Sequence, residues 1–243
     1  RIKALDEDPG IREAEYRHFI SDVPAALDSQ AEFKIRHRKV PSDLEPRIGT
    51  IVQASRLREV RALKGFTRLR AWEGPDDDAR IAAISTTKNR EWLPAIEIRG
   101  EGIFVGLNDQ ALKEWESRSD VESRAQSLRE RVPADRKVDI AKYSARFIAL
   151  HTFSHAIMAR LADECGYSLA SLRERVYSSD EEMSGVLIYT GTPDSEGTLG
   201  GLVRQGEPER FAATIRSAIS GSRWCANDPL CIDGTTSLSD VLN

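Results

Sequence analysis

Apolar residues recur along this chain at two different periods, and the change from one to the other predicts its elements. Leu150, Phe153, Ile157 and Leu161 fall at i, i+3, i+7 and i+11, one stripe of a helix, so a helix is expected from Phe147 to Ala162. A second, more charged helix is expected over residues 109–131. Its apolar points are Ala111, Leu112, Trp115, Val121 and Leu128, and Pro133 ends it. A third runs from about Pro208 to Ile219. Pro94 to Arg99 alternates apolar and polar residues as a half-buried strand does, and Ile103 to Leu107 reads as another short strand. Gly100-Glu101-Gly102 between them reads as a turn, which predicts a hairpin. Gly185 to Thr190 has the unbroken apolar run of a buried strand. The stretch from Ile51 to Val60 is amphipathic and fits a helix or a strand equally. Ser168 or Ser171 is placed to cap a short helix after the long one. Pro41 to Pro46 reads as a connecting segment in a mixed first 50 residues.

These elements predict a mixed α+β protein of helices and short sheets, with no internal repeats. An N-terminal region, residues 1–140, would carry a basic segment and the hairpin, and a second domain would occupy residues 141–243. Hydrophobic residues make up 40% and charged residues 30% of the 243 positions, too apolar for general disorder. The formal charge of −4, from 35 basic and 39 acidic residues, points neither toward nor away from nucleic acid, so only local clustering can matter. No run of apolar residues is long enough to span a membrane, and the charged opening Arg1 to Asp8 is unlike a signal peptide. With three cysteines and no secreted disulfide pattern, a cytoplasmic location is expected. The missing initial methionine leads to the expectation of a piece of a longer protein.

Several residues carry candidate chemistry. His151 and His155 are four apart on the long helix and project from one face, the spacing of two zinc ligands in a zincin helix. Thr152 stands where such an enzyme has its general-base glutamate. The pair therefore reads either as polar packing or as a metal or nucleic-acid contact. Thr192 to Gly201 forms a glycine-rich loop after a strand. It lacks the Gly-Lys-Ser/Thr ending of a phosphate loop, and Asp194 and Glu196 would repel phosphate, so they suit a cation or an acid-braced turn. Cys225 and Cys231 read as half of a zinc site or as two buried thiols, and Cys165 as a core residue. Arg56, Arg58, Arg61, Lys64, Arg68 and Arg70 form the densest basic stretch, with Lys34, Arg36, Arg38 and Lys39 as a shorter one. They are candidates for phosphate contact or for a solvated face. No Walker A loop, helicase acid box or nucleophile elbow is present, so an enzyme is not expected.

Three segments resemble the DrmB family of bacterial DISARM phage-defence systems. They are Val60 to Arg68, Trp92 to Phe104, and about Phe147 to Cys231, the last including Leu150-His151-Thr152-Phe153-Ser154-His155 and Asp228-Pro229-Leu230-Cys231. The third segment also resembles the domain on the C-terminal side of Mrf-type DNA-repair helicases, in which four cysteines are thought to hold zinc. In that pattern Cys225 and Cys231 match the first pair, and the second pair has no counterpart in this sequence. The resemblance implies a non-catalytic partner of a DrmA-type helicase that contributes to DNA binding and complex assembly, with the basic stretches as the DNA surface and zinc as cofactor. The alternatives are a metal-dependent hydrolase or nuclease using His151, His155 and Asp194, and the accessory portion of a repair helicase.

Overall fold

The computed structural model describes residues 9–21, 33–67, 81–84, 92–131, 143–166, 168–179, 183–190 and 201–222. Its centre is a five-stranded antiparallel sheet of β1 (Lys34–Arg38), β2 (Ile48–Ala62), β5 (Ala95–Leu107), β6 (Leu172–Ser179) and β7 (Met183–Thr190), in the order β1-β2-β5-β7-β6. A two-residue pair, β3 (Gly65–Phe66) with β4 (Ala82–Ala83), lies apart from it. Helices α4 (Ala145–Cys165), α5 (Gly201–Gln205) and α6 (Pro208–Gly221) supply core residues to one face of the sheet, and α1 (Pro9–Ile20) covers the other. The expected mixed α+β class is borne out.

Alternation along the strands sorts side chains to the two faces. Ile51, Ile103, Val105, Val186 and Ile188 join Leu150, Ile157, Leu161, Phe211 and Ile215 in the larger core. Val52, Phe104, Leu187 and Tyr177 point the other way and meet Tyr16 and Phe19 of α1. Three strands come from before residue 140 and two from after it, and both cores draw on both regions.

The stretch at Ile51 that fitted either period is a strand, because its neighbours β1 and β5 satisfy its backbone on both sides. Residues 94–107 differ from expectation. There is no hairpin at Gly100-Glu101-Gly102; β5 runs straight through as the central strand. The two glycines serve close approach instead of a turn. A Cβ on Gly100 would sit 2.1 Å from the Thr190 carbonyl oxygen, and one on Gly102 2.8 Å from that of Ile188. Glu101 between them is buried, and its Oε1 accepts the Leu202 N–H at the start of α5 at 2.7 Å.

The helix expected over 109–131 is two helices, α2 (Asp109–Glu116) and α3 (Ser119–Glu130), separated at Ser117-Arg118 without proline or glycine. Asn108 caps α2 through the Ala111 N–H. The long helix extends beyond both expected ends. Ser144 caps it by accepting the Phe147 N–H, and Gly166 ends it in the left-handed conformation at φ 71°. The short helix expected after Ser168 or Ser171 is only a single 3-10 turn, Leu169–Ser171, before β6 begins. Pairing with β7 decides this segment, over its helical appearance. Among the described residues no helix is long and apolar enough to cross a membrane.

Candidate functional site

Two places gather polar residues that packing alone does not require. The first lies between α4 and β6. His151 and His155 project from one face of α4, as their spacing predicts, and both reach Glu174 of β6. His151 Nδ1 is 2.7 Å and His155 Nε2 3.1 Å from the same oxygen, Glu174 Oε1. The rings lie 4.4 Å apart at 60°, and Phe147, one turn earlier, stacks on His151 at 5.8 Å and 12°. One potential ligand atom from each of the three residues lies within 4.8 Å of the others. His151 Nε2 and Glu174 Oε2 are buried without a hydrogen-bond partner.

The electrostatics follow from this convergence. Burial pushes the Glu174 carboxyl up, but hydrogen bonds from His151 and His155 outweigh it and hold the group below the ordinary carboxylate range. The bond to Glu174 raises the His155 imidazole above its ordinary value, against the opposing effect of burial. His155 is nearly half exposed while Glu174 is mostly covered, so the cluster opens to solvent on the His155 side.

Glu174 escaped sequence reasoning. Its segment reads as helical, which leaves its side chain undirected, whereas in β6 alternation sends Leu172, Glu174 and Val176 toward α4. The charged run Arg173-Glu174-Arg175 between Leu172 and Val176 carries no periodic signal that would have placed it. Asp194, expected as a third ligand, lies outside the described residues, as do Glu196, Cys225, Cys231 and the Cys165 side chain.

The second place is the end of the sheet where β2 and β5 run on beyond β7 as a two-stranded ribbon, from Leu57–Gly100 to Ala62–Ala95. Arg56, Arg58 and Arg61 lie on β2 and Lys64 just after it; Arg68 and Arg70 lie outside the described residues. Alternation sends Arg58 and Arg61 to opposite faces. Their charges are met locally: Arg58 pairs with Glu97 at 2.8 Å, Arg99 with the same carboxylate at 2.9 Å, and Arg61 with Glu59 at 2.8 Å. Glu97, held below the ordinary carboxylate range by hydrogen bonds from Arg58 and Arg99, is the acid that counting along one strand does not reveal. The ribbon and the segments flanking it also expose Val60, Leu63, Phe66, Trp92, Leu93 and Ile96. In the shorter basic stretch Arg38 is committed inward, to Gln53 Oε1 at 2.7 Å and to Glu207.

A third ion-pair centre was invisible in the sequence. Arg146 in the first turn of α4 is buried, and its guanidinium grips Glu116 of α2 at 2.8 and 2.9 Å and the Ser179 carbonyl at 2.8 Å. This is a structural clasp between helix and hairpin.

Residues 153–234 match the protein family described as the MrfA Zn-binding domain, a span holding His155, Glu174, Cys225 and Cys231 and beginning just after His151. Over nearly its whole length the chain also resembles the DISARM protein DrmB of Bacillus paralicheniformis, with 34% identity across 96% of this chain and 42% of that protein. The similarity agrees with the resemblance that the motifs carry, and the chain spans less than half the length of that relative.

Proposed function

We propose that this chain is part of a non-catalytic component of DISARM antiviral defence. It works in the cytoplasm beside a DrmA-type helicase and adds contacts to DNA and to the motor. The observation that carries this reading is 34% identity to the DISARM protein DrmB across 96% of the chain. The region before about residue 140 supplies the ribbon surface, and the region after it the zinc-binding module.

The ribbon suits two kinds of contact. Its exposed Trp92, Val60 and Ile96 offer apolar area to a protein partner. Its arginines offer charge to phosphates without base specificity. The Arg58–Glu97 pair is exposed on both sides and screened by water, so it is weak and a phosphate can displace the carboxylate.

Zinc, in this reading, is held through Cys225 and Cys231. Two thiolates are half of a tetrahedral zinc shell, which needs two further donors. Bound zinc would tie the chain after α6 into a fixed loop and would carry no step of a reaction.

Co-purification with the cognate DrmA-type helicase, with ATPase and DNA-binding assays of each partner alone and together, tests the proposal. A stable complex, ATP hydrolysis confined to the helicase, and salt-sensitive DNA affinity are the expected results. ATP hydrolysis by this protein alone, or no complex and no polynucleotide affinity at low salt, would overturn it.

A further inference from the structure

We propose that His151, His155 and Glu174 form a binding site for a divalent transition ion of the zinc class, joining α4 to β6 and separate from any metal held by Cys225 and Cys231. Two imidazoles and one carboxylate are a donor set that zinc accepts, with one position of a tetrahedral shell left over. The donors come from a rigid helix and a paired strand, so their convergence costs no folding of a loop. Phe147 stacked on His151 holds that ring in place. The open side lies at His155, whose side chain is 46% exposed, so water can complete the shell there.

The donor spacing is within reach of a single ion. Donors about 2.0–2.1 Å from a tetrahedral metal stand roughly 3.3 Å from one another. The two imidazole nitrogens are 2.7 and 3.1 Å from Glu174 Oε1 and all three atoms lie within 4.8 Å of one another, so side-chain rotation, without backbone movement, brings them to a common metal. In the metal-free state a hydrogen fills each of these gaps, donated by His151 Nδ1 and His155 Nε2 to the carboxylate. On binding, the ion takes the place of both hydrogens. Each proton leaves for solvent or passes to the other nitrogen of its ring, and the freed nitrogen lone pairs coordinate. Glu174 Oε2, buried and unpartnered, is a second oxygen on the same carboxylate, available for two-point coordination. Polar atoms stripped of water without a partner are costly, and a cation at this cluster supplies the missing interaction.

Cobalt(II) is the probe, because its visible spectrum separates nitrogen–oxygen sites from thiolate sites. In a Cys225→Ser/Cys231→Ser variant freed of metal by a chelator, about one Co2+ per chain is expected to bind, with ligand-field bands and no thiolate charge-transfer band. Zinc should displace it and raise the melting temperature. Glu174→Gln and His155→Ala in that background should weaken binding by at least about 10-fold, with helix and sheet content unchanged by circular dichroism. If the double-serine variant fails to fold, the unaltered protein serves. There Glu174→Gln should remove the nitrogen–oxygen component of the cobalt spectrum and leave any thiolate band in place. Failure of the folded double-serine variant to bind cobalt or zinc, or equal binding by the Glu174→Gln and His155→Ala proteins, overturns the site. Neither result bears on helicase partnership, which rests on other residues.

Discussion

Arg146 and Glu116 meet in a two-pronged ion pair, at 2.8 and 2.9 Å, with the arginine side chain 1% exposed. The arginine also donates to the Ser179 carbonyl, so a single side chain joins α2, α4 and the β6–β7 hairpin. Asp109 lies 3.2 Å from the same guanidinium, so losing Glu116 leaves the buried arginine with one weaker, half-exposed acidic partner. Glu116→Ala should therefore destabilise the protein by less than the roughly 3–5 kcal/mol of a fully uncompensated buried charge, and Glu116→Ala with Asp109→Ala should approach it, measured by urea unfolding. Arg146→Met should cost less, since it leaves no buried charge.

Phe19 lies flat on Phe104, with ring centroids 4.6 Å apart and planes 3° from parallel. It anchors α1 to the second face of the sheet, where the smaller core sits. Phe19→Ala should cost about 3–5 kcal/mol in the same measurement. Cobalt or zinc binding at His155 should persist at temperatures where the variant remains folded, because that cluster lies on the opposite face.

Gly100 meets the Thr190 backbone where a Cβ would stand 2.1 Å from the carbonyl oxygen. A backbone neighbour in a paired strand cannot yield as a side chain can. Gly100→Ala should destabilise by about 1–3 kcal/mol or more despite the higher strand propensity of alanine, which a thermal melt would report.

In metal-free protein the His155–Glu174 pair should give stability a bell-shaped dependence on pH. His155, raised in the folded state, contributes stability that is present below its unfolded value and is lost as pH rises through the folded one. Glu174, lowered in the folded state, contributes stability present above its unfolded value and lost as pH falls through the folded one. Both contributions are fully present between about pH 4.3 and about pH 6.5, the ordinary values of glutamate and histidine. His151, on the same oxygen, shares the cluster. A double-mutant cycle of His155→Ala and Glu174→Gln across pH should show its largest coupling inside that window. A flat profile would reject this account.

Glu97 pairs with both Arg58 and Arg99 on one face of the ribbon and offsets part of their charge. If phosphates compete for these arginines, Glu97→Gln should strengthen DNA binding at low salt and steepen its salt dependence, because more counterions are released. Fluorescence anisotropy with a short oligonucleotide at several salt concentrations reads both quantities. Unchanged affinity would place the DNA contact elsewhere.

The apolar period alone fixed α4, the strand character of β7 and the mixed fold class, because a long stripe such as Leu150, Ile157 and Leu161 has only one amphipathic solution. It also set His151 and His155 on one helical face. Tertiary structure decided what those histidines meet. Glu174 became their partner only when pairing with β7 drew its segment into a strand, and Glu97 met Arg58 only across the β2–β5 ladder. Glycines that looked like a turn proved to be places of close backbone contact. Spacing along a chain records which side chains can share a face; which atoms face them from another element depends on packing between segments far apart in sequence.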